Sequence, residues 1–223
     1  MTKRIIFLSM VILLTIGVMI PQVSASVNRF ETLSIGDTGK RVKVVKRALG
    51  AYPITNRYNQ KTRERVRHFQ NRHDLRVTGQ VNYKTYTIIK RRWDNFKENR
   101  SRAYRSIINT ARNQIGDPYV FGAAGPGAFD CSGLIKFVYE RSTRFNLYHQ
   151  SSAQYKPSER ISRSRARPGD LVFFHSNGNI YHTAIYAGKN RVIHASRPGT
   201  NVHRARIWTK SIYFTSKFNR HIK

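Results

Sequence analysis

The chain has 223 residues, 39% of them hydrophobic, so it is long enough for two small domains and too apolar for wholesale disorder. Lysine and arginine total 41 against 11 acidic residues, a formal net charge of +30, which predicts adhesion to nucleic acid, anionic lipid or an acidic wall polymer. A single cysteine excludes an intramolecular disulfide framework.

The first 25 residues have the layout of a secretory signal peptide. Lys3 and Arg4 precede an apolar run over residues 5–20, and a small-x-small stretch predicts cleavage after Ala25. A retained membrane anchor is the alternative, because the run approaches the ~20 residues that span a bilayer. We expect a secreted, cell-wall-associated protein. Export makes acidic wall polymers better candidate partners than intracellular nucleic acid.

Residues 26–92 predict a small all-α domain. Val42 and Leu49 recur on one helical face, and Asn59 and Asn82 are candidate N-caps for a second and a third helix. The exposed faces are strongly basic. A solvated helix surface is one interpretation, but the scarcity of acidic residues that would offset the charge weakens it.

This segment resembles the three-helix peptidoglycan-binding domain that is often attached to wall hydrolases. The matching elements are LSIGDTG, Phe69-Gln70 and Thr78-Gly79, whereas Val45-Lys46 stands where Leu-Gln is usual. The resemblance implies the helical fold and attachment to peptidoglycan. A helical spacer without a sugar-peptide site is the alternative.

Residues 93–100 are charged and lack glycine and proline, which predicts a short helical linker. Ser101 is a candidate N-cap for the amphipathic helix that follows. Later, short alternating segments separated by Asn177-Gly178 and by Gly188-Lys189-Asn190 predict antiparallel strands. Residues 101–223 therefore predict an α+β catalytic domain, with helices first and a sheet second.

Cys131 stands where a helix is predicted to begin, in the stretch FDCSGLIKFVYE. Unpaired N–H groups at a helix start stabilise a thiolate. Asp130 is a candidate N-cap, but its charge raises the pKa of the neighbouring thiol, so a cationic partner is needed. His182 and His194, each in an alternating strand, are the candidates. Without a known relative, a lone cysteine and two strand histidines are more often structural than catalytic.

Four segments, GDPYVFGAAGPGAFDCSGL, RPGDLVFF, YHTAIYAG and VIHAS, resemble in this order the NlpC-type cysteine peptidases of bacterial cell walls. The match covers about residues 101–196. It implies a papain-like α+β fold with Cys131 as nucleophile, His182 as general base and His194 as the residue that orients His182. It further implies an oxyanion role for Tyr119 and substrate contacts for two neighbours of the cysteine, Asp130 and Ser132.

The expected function is hydrolysis of peptidoglycan stem peptides after γ-D-glutamate and before the diamino acid, the bond that this family usually cleaves. We expect a monomer with no cofactor. We also expect no metal, because the short ligand spacings typical of zinc sites are absent. One alternative is an amidase or acyltransferase on the same fold. The others are a non-catalytic cationic wall-binding protein and a secreted nucleic-acid binder.

The histidine pair depends on a predicted β-hairpin. A three-residue loop would pair Ala187 with Arg191 and place Ala184 opposite His194. His182 would then share a face with His194, within hydrogen-bonding reach, and this face is expected to look toward the start of the cysteine helix. A two-residue loop is expected to shift the register by one residue and separate the two rings.

Overall fold

The structure is a computed structural model that describes residues 30–143 and 145–217. The predicted signal segment lies outside the described residues. The described residues from Glu31 onward form one compact unit. Its helices are α1 (Lys40–Leu49), α2 (Gln60–Arg72), α3 (Tyr83–Arg112), α4 (Cys131–Ser142) and α5 (Ser151–Tyr155). Its strands are β1 (Glu159–Ile161), β2 (Leu171–Ser176), β3 (Asn179–Gly188), β4 (Arg191–His194), β5 (His203–Arg206) and β6 (Ile212–Ser216).

The three helices predicted for the N-terminal part are present, and the caps come from the expected residues. Asn59 accepts a hydrogen bond from the Thr62 amide at 3.0 Å, which starts α2. Asn82 accepts from the Thr85 amide at 2.9 Å, which starts α3. In the part of the chain that the structure describes, no helix is both long enough and apolar enough for a bilayer crossing.

Ser101 does not begin a helix, because α3 runs without a break from Tyr83 to Arg112. The predicted linker over 93–100 is helical, but it is the middle of that helix rather than a connection between two. Asp94 forms ion pairs with Lys90 and Lys97 at 2.6 and 2.8 Å, pairs that add modestly to helix stability. A helix that has already formed continues through residues that do not interrupt it. The domain boundaries at 92 and 101 stay predictions.

The six strands form one antiparallel sheet in the order β1-β6-β2-β3-β4-β5. Helix α4 covers one face, where Leu134 and Val138 join the same buried cluster as Phe173 and Ile185. The other face carries a second cluster around Phe174. This arrangement confirms the α+β fold, with helices against an antiparallel sheet.

The hairpin between β3 and β4 has the predicted register but not the predicted loop. Ile185 lies opposite Ile193, as expected. The pair predicted between Ala187 and Arg191 is wrong, because Gly188 lies opposite Arg191. Ala187 is therefore one extra residue on β3, a β-bulge.

The loop itself consists of Lys189 and Asn190, whose φ angles of 49° and 57° suit a two-residue type I′ turn. The expectation that such a loop would separate His182 from His194 is wrong, because the bulge restores the residue that the shorter loop removes. The even-numbered residues of both strands consequently stay on one face of the sheet.

Candidate active site

Cys131 is the first residue of α4, and the preceding residue caps the helix as predicted. Asp130 has extended backbone, and its Oδ1 accepts a hydrogen bond from the Gly133 amide at 2.7 Å. Gly133 is needed at this position, since a Cβ there would lie 2.1 Å from the Ala123 carbonyl oxygen. The loop before the helix therefore packs directly on the first turn.

The Cys131 sulfur lies 3.5 Å from the Ser151 hydroxyl and next to the backbone of Thr183, the residue after His182. Burial raises the pKa of the thiol. The Ser151 hydrogen bond lowers it, the Asp130 charge raises it, and backbone hydrogen bonds from Thr183 and Ser132 lower it. The helix start thus acts in the predicted direction, but burial outweighs it. The resting sulfur is a neutral thiol.

Asp130 is buried, and both of its carboxylate oxygens form hydrogen bonds. Oδ1 also accepts from the Ser132 hydroxyl at 3.0 Å, while Oδ2 accepts from the Gly122 amide at 3.0 Å and lies 2.9 Å from His149 Nε2. Burial raises the pKa of this carboxyl, but the hydrogen bonds from Gly133, His149 and Ser132 together hold it below its ordinary value. The group is a carboxylate near neutral pH.

His182 and His194 share one face of the sheet and hydrogen-bond to each other, as predicted. His182 Nε2 lies 2.9 Å from His194 Nδ1. Both side chains are buried, at 7% and 3% exposure. Burial lowers the pKa of His182 to about 4 and, with the charges of His182 and His203, that of His194 to about 3. Both rings are therefore neutral in the resting site.

The hydrogen-bonded chain continues beyond the predicted pair. His194 Nε2 lies 3.3 Å from His203 Nε2, and His203 Nδ1 lies 2.7 Å from the backbone oxygen of Asn201. His203 stands directly opposite His194 in the β4–β5 pairing. Trp208 covers the central ring, with its centroid 5.3 Å from that of His194. Three imidazoles thus lie in a row that ends on a main-chain carbonyl.

The face of the sheet that carries the histidines is not the face that the body of α4 covers. By alternation His182 lies on the same side as Ala184 and Phe174, whereas the body of α4 packs against the opposite side. The start of α4 meets the sheet instead at the backbone of Thr183. The thiol therefore contacts β3 at the residue next to His182, and this contact is separate from the packing of the α4 body against the sheet.

Tyr119 lies within electrostatic range of the thiol. Burial raises the pKa of its hydroxyl, as do the charges of Cys131 and Asp130. Its backbone amide donates to the Thr200 carbonyl at 2.9 Å. Ser132 donates its hydroxyl to Asp130, and its carbonyl oxygen accepts from Gln154 Nε2 at 2.9 Å.

Sequence reasoning missed three side chains of this site: Ser151 against the thiol, His149 against Asp130 and His203 at the end of the histidine row. Ser151 and His149 come from a segment without a regular hydrophobic period, some 20 residues after the cysteine. His203 had a usable signal, because it lies in the alternating stretch NVHRARI. Among residues 30–143 and 145–217, no group of three or more His, Cys, Asp or Glu side chains is arranged to hold a metal ion.

Comparison with known proteins finds two matching families. The NlpC/P60 family model matches residues 116–220, and a model described as a peptidoglycan binding domain matches residues 38–89. A "Probable endopeptidase p60" of Listeria grayi is 37% identical over 109 residues, 49% of this chain and 21% of that protein. The "Gamma-DL-glutamyl hydrolase" of Bacillus subtilis is 37% identical over 94 residues, 41% of this chain and 23% of that protein.

Among solved structures, the chain is similar to the NlpC/p60 domain of the peptidoglycan hydrolase SagA. The two are 35% identical, and the match covers 52% of this chain and 98% of that one with a TM-score of 0.48. The matches to the curated relatives named above span only about a fifth of those proteins, 21% and 23% of their length.

Proposed function

The chain belongs to the NlpC/P60 family through residues 116–220, and from this premise we propose that it is a cysteine endopeptidase that hydrolyses peptidoglycan stem peptides. The observation that carries the proposal is the hydrogen bond of 2.9 Å between two buried imidazoles, His182 and His194, beside the strand position that contacts the sulfur of Cys131. The relative named gamma-DL-glutamyl hydrolase supports a γ-glutamyl bond as the target. The bond would lie after γ-D-glutamate and before the diamino acid.

In the first chemical step, Cys131 Sγ attacks the scissile carbonyl carbon while His182 takes the thiol proton. Burial disfavours the charged form of each group taken separately. Transfer of the thiol proton to the imidazole would link the two titrations. His194 holds the His182 ring in place and accepts its other N–H. Attack forms the C–S bond and places negative charge on the carbonyl oxygen, which the Tyr119 hydroxyl stabilises.

The second step completes the cut. The His182 imidazolium donates its proton to the leaving amine as the C–N bond breaks, which leaves a thioester on Cys131. Water, deprotonated by His182, then hydrolyses the thioester and regenerates the thiol. A free amine of the stem peptide would contact Asp130 at Oδ2, the oxygen shared with the partly exposed His149, while Ser132 contacts the peptide backbone.

The proposal also covers location and attachment. The chain is exported, the helical domain over residues 26–92 holds it on peptidoglycan, and it acts as a monomer. The peptidoglycan binding domain model that matches residues 38–89 supports the second point. The net charge of +30 supports additional contact with anionic wall polymers, which screening by salt would weaken.

The test is digestion of purified stem peptides, with the products identified by mass. The wild-type chain is expected to cut one γ-glutamyl bond, whereas Cys131→Ala and His182→Ala lose turnover and keep the fold. His175→Ala removes a histidine that contacts Tyr213 and not the His182–His194 pair, so it is the matched control and should retain activity. Full turnover by a folded Cys131→Ala variant would contradict the thiol mechanism.

The alternatives predict other products. Release of intact stem peptides from sugar would indicate an amidase, and new peptide bonds in the presence of an acceptor amine would indicate an acyltransferase. If no bond is cut and Cys131 does not react with iodoacetamide near neutral pH, the chain is a non-catalytic wall-binding protein.

A further inference from the structure

A cavity lies where the helical part of the chain meets the sheet, and its lining includes no residue of the Cys131 site. Its volume is about 450 Å³. Four arginines converge on it: Arg47 from α1, Arg100 from α3, and Arg165 and Arg167 from the segment before β2. Three aromatic side chains, Tyr52, Trp93 and Tyr104, form part of its wall. The cavity is thus both strongly basic and partly apolar.

The positive charge of this arginine cleft is not balanced within its lining. Asp170 is the one acidic residue among the lining residues described, and its oxygens already accept hydrogen bonds. The Tyr104 hydroxyl donates to Oδ1 at 2.7 Å, and the Arg167 backbone amide donates to Oδ2 at 2.8 Å. No ion pair with an acid is found for Arg47 or Arg165 within residues 30–143 and 145–217. Both residues are exposed and accessible to a ligand.

The lining favours phosphate as the ligand group. A guanidinium presents paired donors that match two phosphate oxygens, and a polymer with a phosphate in every repeat can reach several of these arginines at once, which a single carboxylate cannot do. The aromatic faces suit the carbon segments that separate successive phosphates in a polyol-phosphate chain. We infer that the arginine cleft binds the phosphate groups of a polyol-phosphate polymer. This contact goes beyond the proposed hydrolysis and does not require it.

The test compares two variants that lose the same charge. Arg47→Gln/Arg165→Gln removes guanidinium groups from the cleft, and Arg72→Gln/Arg76→Gln removes two exposed arginines elsewhere on the helical part. Binding of a synthetic glycerol-phosphate oligomer to the full chain is measured by calorimetry at about physiological ionic strength. We expect the cleft variant to bind at least about tenfold more weakly and the control to bind within about twofold of wild type.

Equal losses in both variants would overturn the inference, because they would indicate adhesion by total charge alone. Two further probes of equal charge are an oligogalacturonate and a single-stranded DNA. Equal or tighter binding of either probe, lost in the cleft variant, would overturn the assignment to polyol phosphate. Hydrolysis of soluble stem peptides is expected to be unchanged in the cleft variant. The assay therefore distinguishes loss of polymer binding from loss of hydrolysis.

A second inference rests on a different observation, the row of three imidazoles that ends on the Asn201 carbonyl. A carbonyl oxygen can only accept, so Nδ1 of His203 carries a proton and donates to it. In the tautomer of His203 that carries its one proton at Nδ1, Nε2 has a lone pair and accepts from His194 Nε2–H. Neutral His194 then accepts at Nδ1 from His182 Nε2–H. The remaining nitrogen of His182, Nδ1, is left with a lone pair.

That lone pair is what the proposed mechanism needs, since Nδ1 must accept the thiol proton. We propose that His203 is a positioning residue that, through His194, holds His182 in the tautomer with a basic Nδ1. The inference rests on the proposed function for its catalytic consequence. The tautomers themselves follow from the hydrogen-bond row, whatever the substrate.

Histidine ¹⁵N shifts in the full chain test the tautomers directly. Wild type is expected to show His182 protonated at Nε2 and unprotonated at Nδ1, and a spectrum with the opposite tautomer would overturn the proposal. His203→Phe keeps a ring but removes the acceptor, so His182 should show both tautomers and kcat should fall at least about tenfold with little change in KM. His203→Gln, whose amide oxygen can accept, should restore part of kcat.

His175→Phe is the control, since it removes a histidine outside the row. If His203→Phe leaves both the His182 shifts and kcat at wild-type values, His203 has no positioning role. If Cys131→Ala retains turnover while the tautomers are as expected, the proposed mechanism fails and the hydrogen-bond row stands.

Discussion

Asp130→Asn is expected to destabilise the fold and, at the same time, to lower the pKa of the Cys131 thiol. The carboxylate accepts from the Gly133 amide and the Ser132 hydroxyl at one oxygen, and from the Gly122 amide at the other. An asparagine can keep the cap with its single oxygen. Its NH₂ group then faces the Gly122 N–H, which leaves that donor without an acceptor.

The magnitude follows from these contacts. Losing the hydrogen bond from the Gly122 amide to a charged acceptor costs about 1.5–3 kcal/mol of unfolding free energy. Asp117→Asn, which removes the same charge outside the cap, should change stability by no more than about 0.5 kcal/mol. Urea unfolding, followed by the fluorescence of Trp93 and Trp208, measures both values.

The loss is also expected to depend on pH. Asp130 has a folded-state pKa below its ordinary value, so its stabilising contribution is present above the unfolded pKa of about 3.9 and is lost as pH falls through the folded pKa. The stability difference between wild type and Asp130→Asn should therefore narrow on acidification below about pH 4. A difference that stays constant there would refute the assignment to the ionised carboxylate.

The reactivity of the Cys131 thiol provides a second measurement, in which loss of the Asp130 charge favours the reactive thiolate. Because the charge of Asp130 raises the pKa of Cys131, the asparagine variant should react with iodoacetamide along a pH curve displaced to lower pH. Unchanged stability, or a displacement to higher pH, would show that the carboxylate does not act as the hydrogen bonds indicate.

Gly133→Ala should lower the unfolding free energy by about 2–3 kcal/mol, since its Cβ would overlap the Ala123 carbonyl oxygen, and an unchanged thermal midpoint would count against this packing. Lys189→Gly should stabilise the chain by about 0.5–1 kcal/mol, because glycine relieves the positive φ of 49°, and a loss of stability would argue against the type I′ turn. Hydrolysis should rise with pH along the same limb as alkylation of Cys131, since the Cys131–His182 pair titrates as a unit, and two separated limbs would argue against that coupling.

The starts of three helices, including the one that carries Cys131, were predictable from the sequence. The caps Asn59, Asn82 and Asp130 each bond an amide within three residues, so a short pattern contains all the information needed. Ser101 failed as a cap, because whether a helix stops before a serine depends on what the preceding residues do.

The histidine register was predicted correctly from a wrong loop. Period-two burial requires His182 and His194 to share a face, and the chain satisfies this requirement with a bulge at Ala187 and a two-residue turn. The alternation of buried and exposed residues is therefore a stronger constraint than the count of loop residues.

The sequence by itself determined the helix that begins at Cys131, the alternating strands of the two predicted histidines and the family to which these motifs point. Tertiary structure alone decided that His149 meets Asp130, that Ser151 meets the thiol and that His203 extends the row to a carbonyl. It also decided the sign of the thiol pKa shift. Each of these outcomes depends on contacts between residues distant in the sequence and on the extent to which packing excludes water from the site. A local segment of sequence determines neither.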